Sequence, residues 1–349
     1  MWFNSAQGDG KSMKEKALLK SHTHEQNDEE VLYHSDFIQL YQASEEELYK
    51  ELCNGLSAPL AYVQPKYFYD ELGSKLFAAI CELPEYYPTR TEAAIFNTHL
   101  DEIAEAVGLG TVLIDLGAGD CAKASRLFTA LQPAQYVPVD ISVEFLRDAV
   151  AQLQQRFPHI RMMGLGMDFS TAIHLPDAVQ KSKRLFFYPG SSIGNFSPDQ
   201  AVAFLQRLRS ACDDDGGLLI GVDLVKDHAI LNAAYDDVLG VTASFNLNVL
   251  SHLNKLLQAN FDIRLWRHVS FFNAEQSRIE MYLEARCSHA VKWHGGERVF
   301  KEGERIHTEN SYKYTQEGFE KLLQASGMVV NRTWTDEQNW FMVCHARVQ

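Results

Sequence analysis

Five short apolar runs alternate with helix-like segments between residues 111 and 224, and this alternation restricts the fold more than any other feature. The apolar runs are 112–114, 136–139, 162–165, 185–188 and 218–222. The helix-like segments lie near 122–132, 143–154 and 198–210. Buried strands that alternate with helices indicate βαβ units and a parallel sheet that is covered on both faces. The sequence therefore predicts an α/β fold with a doubly wound, Rossmann-like sheet.

The segments on either side of this region follow other patterns. Capping-box sequences at Ser44 and Thr89 predict the starts of two helices, of which the second ends near Gly108. Further helices are expected over 73–81, 228–260 and 315–326, with a β-hairpin over 262–288 and a final strand near 340–343.

Composition argues against several classes of protein. The net charge of −14 repels phosphate groups, so we expect neither nucleic acid nor an anionic membrane as a partner. No apolar run approaches the roughly 18 residues of a membrane span, and the N-terminal segment lacks the apolar stretch of a signal peptide. The six cysteines form no C-x-x-C pair, which fits a reducing compartment. We expect a cytoplasmic protein with a mobile polar tail at 1–30.

The first predicted strand, 111–116, runs directly into the motif Gly117-x-Gly119-x-x-Ala122. Glycines at the carboxyl end of a parallel strand let a ligand approach the backbone, and the following helix presents free N–H groups to it. With Asp140 roughly twenty residues further on, this spacing suits a nicotinamide-dependent dehydrogenase. A methyltransferase that uses S-adenosylmethionine is the other explanation.

Three acidic residues at successive strand ends favour the methyltransferase. Asp115 precedes the first glycine, Asp140 ends the second strand, and Asp168 ends the third beside Phe169. A carboxylate before the loop suits a positively charged sulfonium amino acid better than a pyrophosphate. Asp140 can bind a ribose diol, and Asp168 with Phe169 can bind an adenine. Each acid alone could merely cap the next helix, but together they indicate a site for S-adenosylmethionine.

Residues 190–194 match the G-x-S-x-G pattern of a hydrolase. Such an enzyme needs an acid and a histidine further along the chain, for which Asp223 with His228 or His307 are candidates. No oxyanion-hole segment of the His-Gly-Gly type precedes the motif, and a hydrolase leaves the Asp115 loop unexplained. The hydrolase is therefore the weaker hypothesis. No cysteine or histidine spacing is typical of a metal site, so no metal is expected.

Several segments together resemble one family of enzymes. They are 66–70 (KYFYD) followed by Gly73 and Ser74, 83–92 (LPEYYPTRTE), 116–119 (LGAG), 187–196 (FYPGSSIGNF), 234–237 (AYDD) and 308–311 (TENS). With these segments, residues 36–349 resemble the L-histidine Nα-methyltransferases of ergothioneine biosynthesis, which use S-adenosylmethionine. The segments 83–92 and 187–196 are the most specific to this family and its close relatives. The glycine loop, in contrast, occurs in many enzymes.

The resemblance implies two sets of ligand contacts. The cofactor set contains Tyr86, Gly117, Lys123, Asp140, Asp168 and Phe169, to which Asp115 and Gly119 of the loop are added. The substrate set contains Tyr86, Asn195, Tyr235, Glu309 and Ser311, with Met281 as a further candidate for the pocket wall. Tyr69 would lie near the substrate amine and is the candidate catalytic residue. The loop departs from the family pattern at Asp120 and Cys121, where small hydroxyl residues are usual.

Glu309 and Ser311 carry the prediction of the substrate. Residues i and i+2 of an extended segment face the same side, so a carboxylate and a hydroxyl would lie together. Imidazole has two ring nitrogens to pair with them, whereas indole has one N–H and leaves one partner unsatisfied, at a cost of roughly 1–3 kcal/mol. We therefore expect L-histidine as the substrate. The alternatives are a tryptophan-like amine, or a protein that binds S-adenosylmethionine without methylating histidine.

The resemblance, with the change of pattern near residue 225, also implies two domains. A methyltransferase domain that binds S-adenosylmethionine would comprise 91–223 and 314–349. A substrate-binding α+β domain would comprise 31–90 and the insertion 224–313. Three rounds of methyl transfer to the α-amine would give a trimethylammonium product, histidine betaine (hercynine).

Overall fold

The computed structural model describes residues 32–40 and 44–349, and the tail expected at 1–30 lies outside this part. The strands of the described residues are β1 (Asp36–Gln39), β2 (Ala61–Tyr62), β3 (Val112–Leu116), β4 (Gln135–Asp140), β5 (Arg161–Gly166), β6 (Arg184–Tyr188), β7 (Gly217–Asp223), β8 (Trp266–Asn273), β9 (Arg278–Ala285), β10 (His289–Trp293), β11 (Gly296–Phe300), β12 (Arg305–Tyr312), β13 (Met328–Thr335) and β14 (Phe341–Val348). The helices are α1 (Glu45–Ser57), α2 (Glu71–Cys81), α3 (Tyr87–Val107), α4 (Ala122–Ser125), α5 (Phe128–Leu131), α6 (Val143–Arg156), α7 (Pro198–Ala211), α8 (His228–Ala233), α9 (Val241–Leu257) and α10 (Gln316–Ala325).

The large sheet has the strand order β1-β5-β4-β3-β6-β7-β14-β13. All strands from β1 to β7 in this order pair in parallel, and β14 runs antiparallel to both of its neighbours. The five predicted strands and the doubly wound topology are confirmed. The order proceeds outward from β3 in both directions, so the switch point, where open α/β sheets bind ligands, lies between β3 and β6.

Alternating side chains explain why this sheet is covered on both faces. On β3, Val112 and Ile114 enter one hydrophobic cluster with α7 and α10, while Leu113 enters another with α3 and α6. Successive side chains of a strand point to opposite faces, so a continuous apolar run needs two covered faces.

Two edge strands were not predicted, for a physical reason. β13 lies at one edge, and only its residues Met328 and Trp334 are buried, so it lacks a continuous apolar run. β1 lies at the other edge, paired with β5, although the sequence analysis placed residues 31–90 wholly in the substrate-binding domain. Edge strands are half exposed, and their sequences resemble those of loops.

The helix starts were predicted with mixed success. The cap at Ser44 is confirmed, since its hydroxyl accepts from the N–H of Glu47 at 3.1 Å. The start at Thr89 is wrong, because α3 begins at Tyr87 with a proline in its first turn. Proline fits that turn since its missing N–H needs no partner there. The side chain of Glu92, which would complete a capping box at Thr89, makes its hydrogen bonds outside the start of the helix.

A second sheet has the order β2-β12-β9-β8, and the predicted hairpin is its β8–β9 pair. The helical region expected at 228–260 divides into α8 and α9, and α9 packs against this sheet. The two sheets meet at the ends of β7 and β12, where the N–H of Tyr314 donates to the carbonyl of Asp223 at 3.0 Å. The carboxyl end of the large sheet is thereby placed beside the second sheet.

Candidate active site

A cavity opens where the carboxyl ends of β6 and β7 meet β9 and β12. Its walls come from the turn after β6, the β9–β12 face of the second sheet, and residues around α2, α3 and α9. The lining residues that the sequence analysis selected are Tyr69, Tyr86, Asn195, Tyr235, Met281, Glu309 and Ser311. One cavity therefore contains the whole predicted substrate set and the candidate catalytic residue.

The glycine loop follows β3 at the switch point. Gly117 and Gly119 have φ angles of 72° and 53°, where residues with a side chain are strained. The N–H groups of Gly117 and Ala118 donate to the carbonyl of Val139 at 2.9 and 3.1 Å, which ties the loop to β4. A β-carbon at Gly117 would contact the ring of Phe169 at 3.7 Å, so this ring lies directly against the loop.

The carboxylates near the carboxyl ends of β3 and β4 have different surroundings. Asp140 accepts from the N–H groups of Gly119 at 3.0 Å and Ser142 at 2.9 Å, so it links the loop to α6. Asp115 is buried beneath the loop and accepts from the hydroxyl of Tyr136 at 2.7 Å. Burial raises the pKa of Asp115 to about 7, and the bond from Tyr136 opposes this rise. Asp115 thus supports the loop from below.

The departure from the family pattern after Gly119 has a local explanation. Asp120 accepts from the N–H of Ala122 at 3.0 Å and so stabilises the turn before the short helix α4. Cys121 is buried and has a left-handed φ of 61°. Both residues shape the turn into α4.

Asp168 offers an open acceptor after β5. Its Oδ1 accepts from the N–H of Ser170 at 3.0 Å. Its Oδ2 is buried without a hydrogen-bond partner among the described residues, and the ammonium of Lys66 lies 3.8 Å away. Buried acceptors are rarely left unpaired in native proteins, so this atom marks a place for a ligand donor.

Lys123 lies beside a buried carboxylate that the sequence analysis missed. Glu92 on α3 accepts from Lys123 Nζ at 2.7 Å and from the N–H of Gly190 at 2.6 Å. Burial alone would lower the pKa of Lys123, but the charge of Glu92 raises it. Glu92 therefore joins the helix after the glycine loop to the turn after β6. A glycine at 221 leaves room for its carboxylate.

Glu309 and Ser311 face the cavity from one side of β12, as their spacing predicts. Met281 lies opposite Glu309 in the β9–β12 register, and its buried side chain forms the adjoining wall. Burial raises the pKa of Glu309 to about 7, although the nearby charge of Lys313 opposes this rise. The cavity thus contains a carboxylate whose charge changes near neutral pH.

Behind this wall lies a cluster of buried charges. The hydroxyls of Tyr235 and Ser311 lie 2.8 Å apart, and both accept from the ammonium of Lys313. Lys313 forms an ion pair with Asp223 at 2.7 Å, and the Tyr87 hydroxyl donates to the same carboxylate. Lys313 was not among the predicted site residues. Its position two residues after Ser311, in the same extended segment, could have identified it.

Aromatic rings surround the candidate catalytic residue. The ring centroid of Tyr69 lies 5.6 Å from that of Phe77 and 5.8 Å from that of Phe245, two residues that the sequence analysis missed. Tyr86 continues this wall, at 6.2 Å from Phe77 and 6.3 Å from Tyr235. Desolvation raises the pKa of Tyr69 well above its ordinary value, and the charge of Glu309 adds to the effect. Tyr69 therefore keeps its proton at neutral pH.

Asn195 is held in place by a 3-10 turn, Ser192–Asn195, that packs against β12. A β-carbon at Gly194 would lie 2.8 Å from the backbone oxygen of Tyr312 and 3.5 Å from Ser311 Oγ. Only glycine permits this close approach. The turn thereby brings the Asn195 amide to the same cavity as Ser311.

Among residues 32–40 and 44–349, the serine, acid and histidines proposed for a hydrolase do not form a catalytic triad. The carboxylate of Asp223 is engaged by two lysines and a tyrosine. His307 pairs with an asparagine, and the ring of His228 lies against a phenylalanine. Ser192 donates to the carbonyl of Pro189 at 3.3 Å.

The described residues offer neither a membrane span nor a metal cluster. None of the described helices combines the length and apolar character that crossing a membrane requires. Within the same part of the chain, no three His, Cys, Asp or Glu side chains are grouped as a metal ion would need. All six cysteines are free thiols.

The parallel sheet, the glycine loop and the carboxylates after successive strands define a Rossmann-like methyltransferase that depends on S-adenosylmethionine. The sequence model of one family in this class, described as histidine-specific methyltransferase, SAM-dependent, matches residues 48–348. The chain belongs to this family, which argues against a nicotinamide-dependent dehydrogenase.

Named relatives agree with this assignment. A histidine N-alpha-methyltransferase from Mycolicibacterium smegmatis is 39% identical over 297 residues, which cover 83% of this chain and 92% of that protein. A protein of the same name from Mycobacterium tuberculosis is 37% identical over 300 residues, or 84% of this chain and 92% of that protein. Ergothioneine biosynthesis protein 1 from Neurospora crassa is 32% identical over 280 residues, or 76% of this chain and 31% of that protein.

Proposed function

We propose that this enzyme transfers methyl groups from S-adenosylmethionine to the α-amine of L-histidine, in three rounds that give histidine betaine. One observation carries the proposal: Glu309 and Ser311 face one cavity together with Asn195 and Tyr235. The pair on β12 matches the two nitrogens of an imidazole, and an amide with a phenol matches a carboxylate. Membership of the histidine-specific family agrees with this assignment.

We assign the cofactor to the edge of the large sheet. The buried Oδ2 of Asp168, which accepts no hydrogen bond from the described residues, fits an adenine amino group, and the ring of Phe169 fits the adenine face. Asp140 fits a ribose diol beside Gly119. Lys123 fits the methionine carboxylate, and its bond to Glu92 positions its ammonium group for that contact. We assign Tyr86 to contacts with both ligands, because it lines the cavity and directly precedes α3.

When bound, S-adenosylmethionine supplies an electrophilic methyl group and a thioether leaving group, so the protein mainly has to position the two substrates. The attacking amine must be neutral, and the site therefore must not favour an ammonium. Tyr69 meets this requirement because it stays protonated and bears no negative charge. Its oxygen can accept a hydrogen bond from the amine and orient the lone pair. The rings of Phe77 and Phe245 add an apolar wall that tolerates a methylated cation.

The direct experiment is mass spectrometry of L-histidine after incubation with the enzyme and S-adenosylmethionine. We expect mass gains of one, two and three methyl groups, with one S-adenosylhomocysteine formed for each methyl group transferred. Unmodified histidine, with S-adenosylmethionine binding intact, would reject the proposal.

A tryptophan-like substrate is the second candidate. The single N–H of indole pairs with Glu309 or Ser311 but not with both, which disfavours it by roughly 1–3 kcal/mol. In a mixture of equal amounts of the two amino acids, we therefore expect methylated histidine to dominate. Dominant methylation of tryptophan would support the second candidate instead.

We further propose that the enzyme works in the cytoplasm. Its six cysteines are free thiols, and disulfides are rare in reducing compartments. Its net charge of −14 suits a small-molecule substrate better than nucleic acid or an anionic membrane.

A further inference from the structure

Lys313 is a fully buried cation directly behind the substrate cavity. Its side chain has 0% exposed surface, and its ammonium group carries three protons. Three oxygens surround this group: Asp223 Oδ2 at 2.7 Å, Ser311 Oγ at 2.8 Å and Tyr235 Oη at 3.0 Å. Each proton therefore has one acceptor, and both hydroxyl oxygens accept from Lys313.

The ammonium stays charged in this environment. Burial by itself lowers the pKa of Lys313, but the carboxylate of Asp223 overcomes this and raises it. Burial raises the pKa of Asp223, yet Lys313 and Lys226 outweigh burial and lower it. A charged lysine only donates, so the direction of its bonds to the two hydroxyls is fixed.

The direction of the bonds from Lys313 determines which hydroxyl protons of Tyr235 and Ser311 can be donated to a ligand in the cavity. A hydroxyl has one proton and two lone pairs, and Lys313 occupies one lone pair on each oxygen. Tyr235 and Ser311 lie 2.8 Å apart, so one of their two protons is shared between them and the other is available to the cavity. A ligand with an acceptor at each position can displace the shared bond. Both protons then turn to the ligand, while each oxygen keeps its bond from Lys313.

We infer that Lys313 is a specificity-determining positioning residue, which holds Ser311 and Tyr235 as hydrogen-bond donors toward the substrate. The inference rests on the proposed methylation of histidine and adds a requirement to it. The substrate ring must offer an unprotonated nitrogen to Ser311 as well as an N–H to Glu309. Lys313 acts through the two hydroxyls and does not need to touch the substrate.

Lys226 provides a matched control. It binds the other oxygen of the same carboxylate, Asp223 Oδ1, at 2.6 Å, and its side chain is only 3% exposed. It donates to the hydroxyl of Tyr87 and to a backbone carbonyl, and not to Ser311 or Tyr235. Lys226→Met removes a buried ammonium from Asp223 without removing a donor to Ser311 or Tyr235, whereas Lys313→Met removes the donor to both substrate-facing hydroxyls.

The test compares the dissociation constants of histidine and 3-(2-thienyl)alanine, whose five-membered ring has no nitrogen, by calorimetry with S-adenosylhomocysteine bound. We expect Lys313→Met to reduce the preference for histidine about tenfold, while the KM for S-adenosylmethionine changes less than about twofold.

Lys226→Met should keep the wild-type preference. Lys313→Gln, which retains amide N–H donors, should keep part of it, and this variant replaces Lys313→Met if the latter does not fold. An unchanged preference in the Lys313 variants, or an equal loss in Lys226→Met, would overturn the inference.

A double-mutant cycle locates the effect. Ser311→Ala alone should lower the preference for histidine, and adding Lys313→Met should lower it no further. Additive losses would place the action of Lys313 elsewhere and overturn the inference. Failure of the proposed function is a separate result, because a wild-type enzyme that leaves histidine unmethylated reveals it before any variant is made.

Discussion

Glu309 carries a carboxylate whose pKa burial raises from an ordinary 4.5 to about 7. The folded state therefore disfavours its ionised form. The stability that this group contributes is fully present below pH 4.5 and is lost as the pH rises through 7. We expect Glu309→Gln to raise the midpoint of thermal unfolding at pH 8 and to change it much less at pH 5. The gain in unfolding free energy at pH 8 is on the order of 3 kcal/mol at most. Equal effects at both pH values would contradict this prediction.

The same carboxylate predicts a pH dependence of substrate use. Glu309 accepts an imidazole N–H best when it is ionised, which requires a pH above about 7. In the wild-type enzyme, kcat/KM for histidine should rise through this pH. Glu309→Gln should remove that inflection and raise the KM for histidine about tenfold or more, while S-adenosylmethionine binding stays unchanged. Equal weakening of both ligands in a binding assay would argue against contact with the imidazole.

We expect the substitution Tyr69→Phe to change the distribution of methylated products. Its protonated hydroxyl orients the amine, and the amine has fewer hydrogens to offer after each methyl transfer. Tyr69→Phe keeps the ring and its contacts with Phe77 and Phe245. We expect slower turnover, by about tenfold, and accumulation of partly methylated histidine in time courses followed by mass spectrometry. Unaltered progress to the trimethyl product would remove Tyr69 from the catalytic assignment.

At the scale of elements, the contact between the turn Ser192–Asn195 and β12 controls the width of the substrate cavity. Alanine at 194 would place a β-carbon 2.8 Å from the Tyr312 backbone oxygen, which forces the turn away from the strand. We expect Gly194→Ala to raise the KM for histidine about tenfold and to lower the melting temperature, because Asn195 and Ser311 separate. Binding of S-adenosylhomocysteine should persist, since the glycine loop lies on β3. An unchanged KM for histidine would show that the turn does not position Asn195.

Elements with a strong local pattern were predictable, and elements without one were not. The strands β3 to β7 are buried on both faces and produce continuous apolar runs, so their order in the chain follows from the sequence. The edge strands β1 and β13 consist mostly of exposed or partly exposed residues and lack this signal. The start of α3 was misplaced because Glu92 satisfies the capping pattern while its side chain serves a distant loop.

The residues of the site differ in the same way, since some have a local signal in the sequence and others do not. Glycines and acids at strand ends stand out locally, and the substrate residues came from a resemblance of whole segments. Glu92 and Lys313 were missed, and Asp223 was considered only as the acid of the hydrolase alternative, because important partners are remote in the chain: Glu92 binds Gly190, and Asp223 binds Tyr87 and Lys313. Such buried pairs depend on packing between elements, which no local spacing encodes.

At the scale of the whole molecule, the two sheets share one set of buried charges. Asp223 ends β7 of the large sheet, and Lys313 follows β12 of the second sheet, so their ion pair crosses the boundary between the sheets. Tyr87 of α3 donates to the same carboxylate. Separating the sheets would leave the buried ammonium of Lys313 without its carboxylate partner, which is strongly unfavourable. The proposed domains should therefore not unfold independently.

This coupling predicts the outcome of hydrogen exchange. S-adenosylhomocysteine is assigned to the large sheet, yet it should protect the slowest amides of β9 and β12 as much as those of β3 and β6, because all of them would exchange only by global unfolding. At a ligand concentration of about 100 times Kd, the expected slowing is about a hundredfold in both sheets. Peptide-resolved exchange measured by mass spectrometry tests this directly. Protection confined to β3 and β6 would show that the second sheet opens while the large sheet stays folded, and that the Lys313–Asp223 pair does not hold them together.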